Sequence, residues 1–597
     1  MAKWLRRLGP TWRAAPLRRI VQTICLGVFL GLFFYVAWPY SDRFSARTIP
    51  DKQWLPLESF LWIDPLVGLS TAVAARAWNV ALVGMAVILF VCVLWPRGFC
   101  GYVCPLGTMI DLFDWVVGKV RGGLQPNGGR VRPSYHLGGR PQSAAAASRN
   151  NHSGRAEARP SQAPAARTRW WMNLKYYILA GVLVASAFGV LLSGYVSAIP
   201  VLTRGLMFSA GQLQLGLMKN WGQVAPLTPA VCVSLALFAA VFLLGLIHPR
   251  FWCRYVCPSG AMFSAFNLLR VGERKVESTC IECNKCVQAC PFDAIREDFT
   301  TRELDCTFCQ TCGGVCPTES IKFSWHGLPA RDDGTVPPTP PSAEAGQPCA
   351  EPGPPTSAPA ALSPLPPERS MSRRRVVLSM IGGAAAAMCT RAASHAGPLP
   401  LRPPGSVDEQ RFLDLCIRCG ECFKVCPGPV LHPAGLAGGL EGLWTPIAVP
   451  THAGCHQDCN FCTLVCPTHA IVPLTIAAKR KTAMGLAVFD PALCLPHRGE
   501  RDCRLCYDEC AAAGYHAIEM RKIALKTGDI PEGAVSDDER EEMSRINAPF
   551  IRADLCTGCG LCEYRCNGAL VRQRPILPRR AVVVIAEDRR RPARVLR

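Results

Sequence analysis

Two cysteine runs between residues 280 and 316 restrict the possible folds of this chain more than any other feature. Each run reads C-x₂-C-x₂-C-x₃-C-P, and together they comprise Cys280, Cys283, Cys286, Cys290, Cys306, Cys309, Cys312 and Cys316. In this pattern three closely spaced thiolates hold three corners of a four-iron cubane, and the fourth cysteine of each run ligates the other cubane. The runs therefore predict two [4Fe–4S] clusters, with the ligand sets Cys280, Cys283, Cys286 and Cys316, and Cys306, Cys309, Cys312 and Cys290. A zinc site or a disulfide framework is the alternative, but zinc sites usually pair two C-x₂-C units rather than two four-cysteine runs that end in proline.

Four further cysteine runs lie between residues 405 and 575. Two have the standard spacing and two have a longer first gap; their members are Cys416, Cys419, Cys422, Cys426, Cys455, Cys459, Cys462, Cys466, Cys494, Cys503, Cys506, Cys510, Cys556, Cys559, Cys562 and Cys566. These ligands predict four more [4Fe–4S] clusters, which makes six in all. The runs predict an α+β bacterial-type 2[4Fe–4S] ferredoxin domain over residues 266–326 and a four-cluster ferredoxin-like domain over residues 397–597. The spacing leaves open which runs of the second domain pair with each other.

Four apolar runs precede the first ferredoxin motif, at about residues 20–38, 77–95, 176–196 and 229–247. Each has about the length that crosses the hydrocarbon core of a bilayer. They predict an α-helical membrane module of four transmembrane helices within residues 1–265, in contact with lipid. The formal net charge is +21, and Lys and Arg residues cluster at the N-terminus and after the second run. The positive-inside rule then puts these segments and the first ferredoxin domain in the cytoplasm, and this reading of the charge argues against a nucleic-acid partner.

A short motif occurs twice, each time directly after an apolar run. Its copies are Trp95-Pro-Arg97-Gly-Phe-Cys100-Gly-Tyr102-Val-Cys104-Pro105 and His248-Pro-Arg250-Phe-Trp-Cys253-Arg-Tyr255-Val-Cys257-Pro258. The repeat predicts two similar halves, and two cysteines four residues apart on a helix lie on one face. Four alternatives remain open for Cys100, Cys104, Cys253 and Cys257: an additional metal cluster at the membrane surface, redox dithiols, ligands to separate clusters, or two buried pairs without a cofactor.

Five of the 33 cysteines fall outside these motifs, namely Cys25, Cys92, Cys232, Cys349 and Cys389. The first three lie in apolar runs and are predicted to be small buried side chains. The sequence has no C-x-x-C-H motif for a c-type haem, no nucleophile–base constellation and no phosphate-binding loop.

Two segments have the composition of connections, and a third that of a targeting signal. Residues 138–168 are rich in Ala, Ser, Arg and Pro and predict a disordered loop, and the Pro-rich residues 327–369 predict an extended linker. Residues 370–396 contain Arg373-Arg374, then about thirteen apolar residues, and then small residues, which predicts a twin-arginine-like export signal or an anchor. A basic patch before a short helix and a fifth, uncleaved span are the alternatives. Export would place residues 397–597 in the periplasm.

The first half of the chain resembles the NapH/MauN membrane ferredoxin family over about residues 18–325, a group that also includes NosR-like and CcoG-like proteins. The resemblance rests on the four apolar runs, the doubled C-x₃-C-P motif and the trailing pair of ferredoxin runs. It implies a quinol dehydrogenase-like electron-transfer component of the bacterial inner membrane. The family's C-x₃-C-P cysteines map onto Cys100, Cys104, Cys253 and Cys257. Arg97 and Arg250 are candidates for the quinol site because they repeat at the membrane edge.

The second half resembles the NapG/MauM family and, more broadly, the four-cluster subunits of molybdenum oxidoreductases, through the long first gaps in two of its runs. The resemblance implies that electrons from the quinone pool reach a redox partner, such as a periplasmic cytochrome c or a nitrate reductase system. By analogy the outer runs pair with each other, as do the inner runs, and sequential pairing of the runs is the alternative. Cys566 would then share a cluster with Cys416, Cys419 and Cys422, and Cys510 would share one with Cys455, Cys459 and Cys462.

Two other functions are consistent with the sequence. One is an accessory or maturation factor that uses the C-x₃-C-P thiols to reduce or deliver a metal for a partner enzyme. The other is a cytoplasmic polyferredoxin that donates electrons to soluble enzymes, with residues 372–388 acting only as an anchor.

Overall fold

A computed structural model describes the chain in segments that cover both cysteine-rich regions. They are residues 16–36, 58–78, 80–123, 173–218, 221, 224, 226–277, 279–296, 298–325, 373–394, 399–436, 439–524 and 545–586. The predicted disordered loop at 138–168 and the predicted linker at 327–369, which contains Cys349, lie outside the described residues.

The N-terminal helical module contains both long apolar helices and short ones that lie between them. Its α-helices are α1 (Pro16–Val36), α2 (Glu58–Trp62), α3 (Pro65–Ala75), α4 (Val80–Leu94), α5 (Pro105–Gly123), α6 (Leu174–Ala187), α7 (Ser193–Val196), α8 (Ala198–Leu206), α9 (Gln212–Met218), α10 (Pro229–Leu243) and α11 (Pro258–Phe266). Among the described residues, two stretches are long and apolar enough to cross a membrane, Arg18–Tyr35 and Pro229–Leu246. The other two predicted spans are shorter apolar helices, Ala81–Leu94 and Leu174–Ala187.

The third predicted span is short because its helix ends at Ala187. Gly189 has a φ of 80°, the left-handed conformation that commonly terminates helices and that glycine adopts without strain. The chain then turns into α7 and α8 rather than continuing to Val196 in one helix.

The ferredoxin domain, residues 272–325, is enclosed by one antiparallel pair of strands. Strand β1 (Gly272–Val276) pairs with β2 (Ile321–Trp325), and Gly272 lies opposite Trp325. Between the strands lie α12 (Lys285–Ala289) and α13 (Thr311–Val315), one in each cysteine run. The predicted α+β ferredoxin arrangement is thus present at this position.

A long helix leads into the C-terminal domain, residues 399–586, which is built from short helices and two-stranded sheets. The elements are α14 (Arg373–Ser394), α15 (Glu409–Leu415), α16 (Glu421–Lys424), β3 (Leu431–Pro433), α17 (Gly439–Gly442), β4 (Pro446–Ala448), α18 (Phe461–Leu464), α19 (Ile476–Arg480), β5 (Gly485–Phe489), α20 (Leu505–Ala512), β6 (Ile518–Ala524), β7 (Arg545–Ile551), α21 (Leu561–Asn567) and β8 (Val582–Ala586). The antiparallel pairs are β3–β4, β6–β7 and the long-range pair β5–β8.

Helix α14 lies along α6, and small residues form the contact. A Cβ added to Gly383 would lie 2.3 Å from the carbonyl oxygen of Gly181, so only glycine permits this approach. Ala185 and Ala387 are fully buried in one apolar cluster. The helix has 22 residues, longer than the apolar run within it, because its flanking arginine and polar residues are helical too.

The ferredoxin domain and the C-terminal domain contact opposite ends of α6. At one end, Lys175 near the start of α6 forms an ion pair with Asp305 of the ferredoxin domain at 3.1 Å. At the other end, Gly189 just beyond α6 lies beside Asp414 of the C-terminal domain. Asp414 also pairs with Arg391 of α14 at 3.3 Å, so α14 runs parallel to α6.

Candidate iron–sulfur sites

Each C-x₃-C-P motif forms a π-helical turn followed directly by an α-helix. The turns are Phe99–Val103 and Trp252–Val256. Cys104 and Cys257 then adopt extended backbone, and the prolines after them start α5 and α11, as proline favours the first helical position. The prediction of a cysteine pair on one face of an α-helix was therefore wrong, since the second cysteine of each pair is a helix cap.

Each capping cysteine points its sulfur toward the first backbone N–H groups of the next helix. The Gly107 N–H donates to Cys104 Sγ at 3.4 Å, and the Gly260 N–H donates to Cys257 Sγ at 3.4 Å. Helix N-termini favour negative charge, so these positions suit thiolates.

The two motifs bring their four cysteines together at the interface of the two halves. Burial raises the pKa of Cys104, and the Cys253, Cys100 and Cys257 thiols raise it further. Burial also raises the pKa of Cys253 to about 11, with Cys100 acting in the same direction. Four thiols that raise one another's pKa are a donor set that a cationic metal centre would stabilise as thiolates.

The arginine of each motif clamps the other motif. Arg97 Nη2 donates to the carbonyl oxygen of Gly260 at 3.4 Å, and Arg250 Nη2 donates to that of Gly107 at 3.3 Å. Gly107 and Gly260 occupy equivalent positions of the repeat. This exchange confirms two similar halves, and it gives both arginines a structural contact.

Carboxylates balance the charge of these buried arginines. Arg250 Nη2 donates to Asp111 Oδ2 at 2.6 Å, and Arg18 Nη2 donates to the same oxygen at 2.8 Å. Asp305 of the ferredoxin domain lies 4.0 Å from Arg97 Nη1. The clamp is thus an ion-paired network that ties the four-cysteine centre to the ferredoxin domain.

One of the two predicted ligand sets of the ferredoxin domain lies together in the structure. A small cavity is lined by Cys290, Cys306, Cys309 and Cys312. Cys290, the last cysteine of the first run, therefore lies with the first three cysteines of the second run. Cys316 packs against an apolar cluster that contains both Cys286 and Cys312, so its place with Cys280, Cys283 and Cys286 stays a prediction.

The ferredoxin domain touches the four-cysteine centre through the loop that carries Cys306 and Cys309. Tyr102 Oη donates to the carbonyl oxygen of Phe308 at 2.7 Å. The ring of Phe292 lies 5.5 Å from the Arg97 guanidinium and 4.7 Å from that of Arg250. Side chains of the ferredoxin domain therefore reach directly into the arginine clamp.

The first two runs of the C-terminal domain pair with each other. Burial raises the pKa of Cys416, Cys419 and Cys422, and the Cys466 thiol raises it further. In the same way burial raises the pKa of Cys426, with the Cys455 thiol as the next cause.

The third and fourth runs also pair with each other. A second small cavity is lined by Cys510, Cys556, Cys559 and Cys562. Burial raises the pKa of Cys494 to about 11, and the Cys503 and Cys566 thiols raise it further.

The analogy that paired outer with outer and inner with inner runs was therefore wrong. Cys466, not Cys566, joins the first run, and Cys426, not Cys510, joins the second. The physical reason is local: the β3–β4 hairpin lies between the first two runs and folds the second back onto the first.

The sites are numbered along the molecule as follows: site 1, Cys280, Cys283, Cys286 and Cys316; site 2, Cys290, Cys306, Cys309 and Cys312; site 3, Cys100, Cys104, Cys253 and Cys257; site 4, Cys416, Cys419, Cys422 and Cys466; site 5, Cys426, Cys455, Cys459 and Cys462; site 6, Cys510, Cys556, Cys559 and Cys562; site 7, Cys494, Cys503, Cys506 and Cys566. No three His, Cys, Asp or Glu side chains of the described residues converge as ligands of one metal ion. A four-iron cubane places its thiolates on separate irons, so the donor sets and the two cavities fit that group.

The C-terminal domain docks on the helical module next to site 4. A Cβ on Gly194 would lie 2.4 Å from the carbonyl oxygen of Ile417. Arg418 Nη1 donates to the carbonyl oxygens of Leu191 at 3.0 Å and Cys416 at 2.9 Å. The loop that carries the first cysteines of site 4 is therefore part of the interface.

Helix α7 lies between the segments that carry sites 3 and 4. Ser259, two residues after Cys257, approaches Ser197 with an Oγ–Oγ distance of 2.9 Å. Helix α7 connects Ser197 to Gly194, which touches the backbone next to Cys416. The fully buried Asp64 accepts a hydrogen bond from Ser259 Oγ at 3.0 Å.

Sequence reasoning missed the buried cations next to the cysteine sites. Arg204 and Lys479 are 1% and 3% exposed. The burial of Arg204 could have been suspected, because it is the one charged residue in the otherwise apolar stretch 198–211. Of the cysteines outside the motifs, Cys92 is buried as predicted, Cys25 is half-buried, and Cys232 is exposed on α10.

Family comparisons identify iron–sulfur domains in both halves of the chain. Residues 79–122 and 232–277 match a family described as "4Fe-4S binding domain", and residues 274–296 match a second family with that description. Residues 501–570 match a "4Fe-4S dicluster domain", which spans most of the third and fourth runs. The chain is thus an iron–sulfur electron-transfer protein of the ferredoxin type.

Similarity to curated proteins gives the family. The chain is 34% identical over 178 residues to the ferredoxin-type protein NapG of Escherichia coli (strain K12), covering 29% of this chain and 68% of that protein. It is 30% identical over 214 residues to the methylamine utilization ferredoxin-type protein MauM of Methylobacillus flagellatus, covering 34% and 80%. It is 28% identical over 296 residues to the methylamine utilization ferredoxin-type protein MauN of Methylorubrum extorquens, covering 48% and 77%. No solved structure matches the chain. The chain belongs to the NapG/MauM family of ferredoxin-type proteins and is a polyferredoxin of the NapH/MauN–NapG/MauM type.

Proposed function

We propose that this protein oxidises quinol in the inner membrane of a bacterium and conducts the electrons to a redox partner in the periplasm. The observation that carries the proposal is the continuous row of cysteine sites. Site 2 adjoins site 3 through the Tyr102–Phe308 hydrogen bond of 2.7 Å, and α7 links site 3 to site 4. The Cys455 N–H donates to the carbonyl oxygen of Cys559 at 2.8 Å, which joins sites 5 and 6.

In this proposal α1, α4, α6, α10 and α14 cross the membrane. Helix α1 has 21 residues and is about 32 Å long at 1.5 Å per residue, enough for the hydrocarbon core. The ferredoxin domain is then cytoplasmic and the C-terminal domain periplasmic, since the two contact opposite ends of α6. This agrees with the basic residues after the second apolar run.

The chain's own residues hold and insulate each site. When bound, [4Fe–4S] clusters supply one-electron acceptors and donors along the row. Cysteines ligate, and burial and backbone N–H groups at the sulfurs tune the potential. Quinol oxidation also releases protons, and site 3, at the membrane edge, is where we place the entry of electrons. We expect six sites to hold [4Fe–4S] clusters and site 3 to hold an additional one.

Anaerobic mixing of the purified protein with a quinol analogue, followed by EPR, tests this function. We expect quinol to produce the signals of reduced clusters, and we expect a Cys100→Ala/Cys253→Ala variant to lose this reduction while dithionite still reduces sites 4 to 7. Cys232→Ala is the matched control, because this cysteine is exposed on α10 and belongs to no site. Reduction of the wild-type protein by dithionite but not by quinol would contradict the proposal and favour an accessory role or the opposite direction of electron flow.

A further inference from the structure

Arg204 of α8 is a buried cation whose hydrogen bonds all go to neutral groups. Its guanidinium donates to Ser234 Oγ at 3.0 Å, to the carbonyl oxygen of Gly194 at 2.8 Å and to that of Arg418 at 3.3 Å. It lies 4.0 Å from the Trp444 ring. Nη2 has no hydrogen-bond partner among the described residues.

Two other buried arginines have a carboxylate partner: Arg250 pairs with Asp111 at 2.5 Å, and Arg402 pairs with Glu409 at 2.5 Å. Arg418, in the loop that carries the first cysteines of site 4, is like Arg204 instead, because its hydrogen bonds within the described residues go to carbonyl oxygens. Within the described segments no Asp or Glu forms an ion pair with Arg204. Because burying a charge without an opposite charge is unfavourable, the surroundings of Arg204 are expected to contain an anion.

Site 4 lies next to Arg204. Arg204 hydrogen-bonds to the carbonyl oxygen of Arg418, which lies in the loop between Cys416 and Cys419. A Cβ on Gly420 would lie 3.9 Å from Met207 Cγ, three residues beyond Arg204. Burial lowers the pKa of Arg204 and the charge of Arg418 lowers it further, whereas Tyr195 and, to a smaller extent, the Cys419 thiol raise it. Four thiolates give a bound [4Fe–4S] cluster a net negative charge.

We propose that Arg204 is the counter-ion of the cluster at site 4, so that docking of the helical module raises the reduction potential of this cluster. Reduction adds one electron and no proton to the site, and a fixed positive charge nearby stabilises the reduced form more than the oxidised form. Residue Arg204 comes from the helical module and the ligands come from the C-terminal domain, so the environment of site 4 is complete only when the two are docked. The inference rests on the proposed function for the direction of flow, because a raised potential makes site 4 an acceptor for electrons from site 3.

A dithionite titration of the purified full-length chain, followed by EPR, tests the role of Arg204. In Arg204→Met we expect the equilibrium constant for reduction of site 4 to fall at least about tenfold, which is about 59 mV for a one-electron couple. In Arg204→Lys, which keeps the charge, we expect the potential to remain near that of the wild type. A Cys416→Ser variant identifies the signal that belongs to site 4.

Substitutions at Ser234 test the charge without removing the arginine. Ser234→Asp places a carboxylate where Arg204 Nε now donates, so it should lower the potential of site 4 as Arg204→Met does, whereas Ser234→Ala should leave it unchanged. An unchanged site 4 potential in Ser234→Asp, or in an Arg204→Met protein with full iron content, would overturn the proposal. An equal shift at all sites would overturn it too. Since the titration uses no quinol, a failure of quinol oxidation would not affect its outcome.

Discussion

At the scale of single residues, His432 makes the stability of the C-terminal domain depend on pH. Its ring lies against that of His452 at a centroid distance of 4.7 Å, with the two ring planes tilted by 36°. Burial lowers the pKa of His432 to about 4, and the charge of His452 acts in the same direction. Between pH about 6.5 and about 4 the unfolded chain therefore binds a proton that the folded chain does not, and the free energy of unfolding falls as the pH falls.

We expect His432→Phe to lose part of this pH dependence because the phenyl ring keeps the packing but cannot titrate. The measurement is the midpoint of thermal loss of the iron–sulfur absorbance at neutral pH and near pH 5. His469→Asn is the control, because His469 is exposed and has a φ of 57°, which Asn tolerates. An identical loss of stability on acidification in wild type and His432→Phe would rule out this residue as a source.

The residues that could be predicted from the sequence are those whose role depends on local spacing. The ligands in each cysteine run can be recognised from the spacing, because one tight turn holds three of them. The buried cations follow from tertiary packing instead. Lys479 donates a hydrogen bond to the carbonyl oxygen of His456. Burial lowers the pKa of Lys479, but the Cys455 thiol of site 5 and the Cys559 thiol of site 6 raise it. No spacing rule places a lysine between two such sites.

At the scale of elements, the contact between α6 and α14 depends on one of two adjacent glycines. A Cβ on Gly383 would lie 2.3 Å from the carbonyl oxygen of Gly181, whereas a Cβ on Gly382 would meet nothing within 4 Å. We expect Gly383→Leu to destabilise the protein by about 1–3 kcal/mol, the usual range for overpacking. The detergent-solubilised protein should accordingly melt at a lower temperature and expose α14 to protease.

Gly382→Leu is the matched control at the neighbouring position. It should be neutral or stabilise the helix by up to about 1 kcal/mol, because glycine is a poor helix former. If Gly382→Leu and Gly383→Leu melted alike, α14 would not pack on α6 in the way described.

Elements were predicted less completely than ligands. The apolar runs were recognised from hydropathy, but α6 ends at Ala187 because of the turn at Gly189. A hydropathy average over the run does not detect a single glycine that ends the helix. The π-helical turns before Cys104 and Cys257 were not predicted, because they depend on the clamp between the two halves. Helix α14 was predicted by its apolar core alone, whereas its charged ends are stabilised by contacts such as that of Arg391 with Asp414 at 3.3 Å.

At the scale of the whole molecule, the order of the sites could not be obtained from the sequence. The analogy with four-cluster subunits gave the wrong pairing for sites 4 to 7, although each ligand in it was named. The correct order depends on long-range contacts, such as that between Cys455 and Cys559, and on the β5–β8 pair that brings residues 485–489 to 582–586. Contacts between distant segments leave no periodic signal in either segment.

Because the ferredoxin domain and the C-terminal domain contact opposite ends of α6, we predict that reporter proteins fused to these two domains lie on opposite sides of the membrane. The ferredoxin domain contacts the Lys175 end of α6, whereas the C-terminal domain contacts the Gly189 end, and α14 runs parallel to α6 between them. A phosphatase that folds only in the periplasm should therefore be active when fused after the C-terminal domain and inactive when fused after Trp325. Fusion directly before Arg373 is the control and should also be inactive, because it precedes α14. Arg373→Lys/Arg374→Lys should reduce the activity of the C-terminal fusion if the arginine pair directs export. Equal activity at all three positions would place both domains on one side of the membrane, and the row of sites would then not cross it.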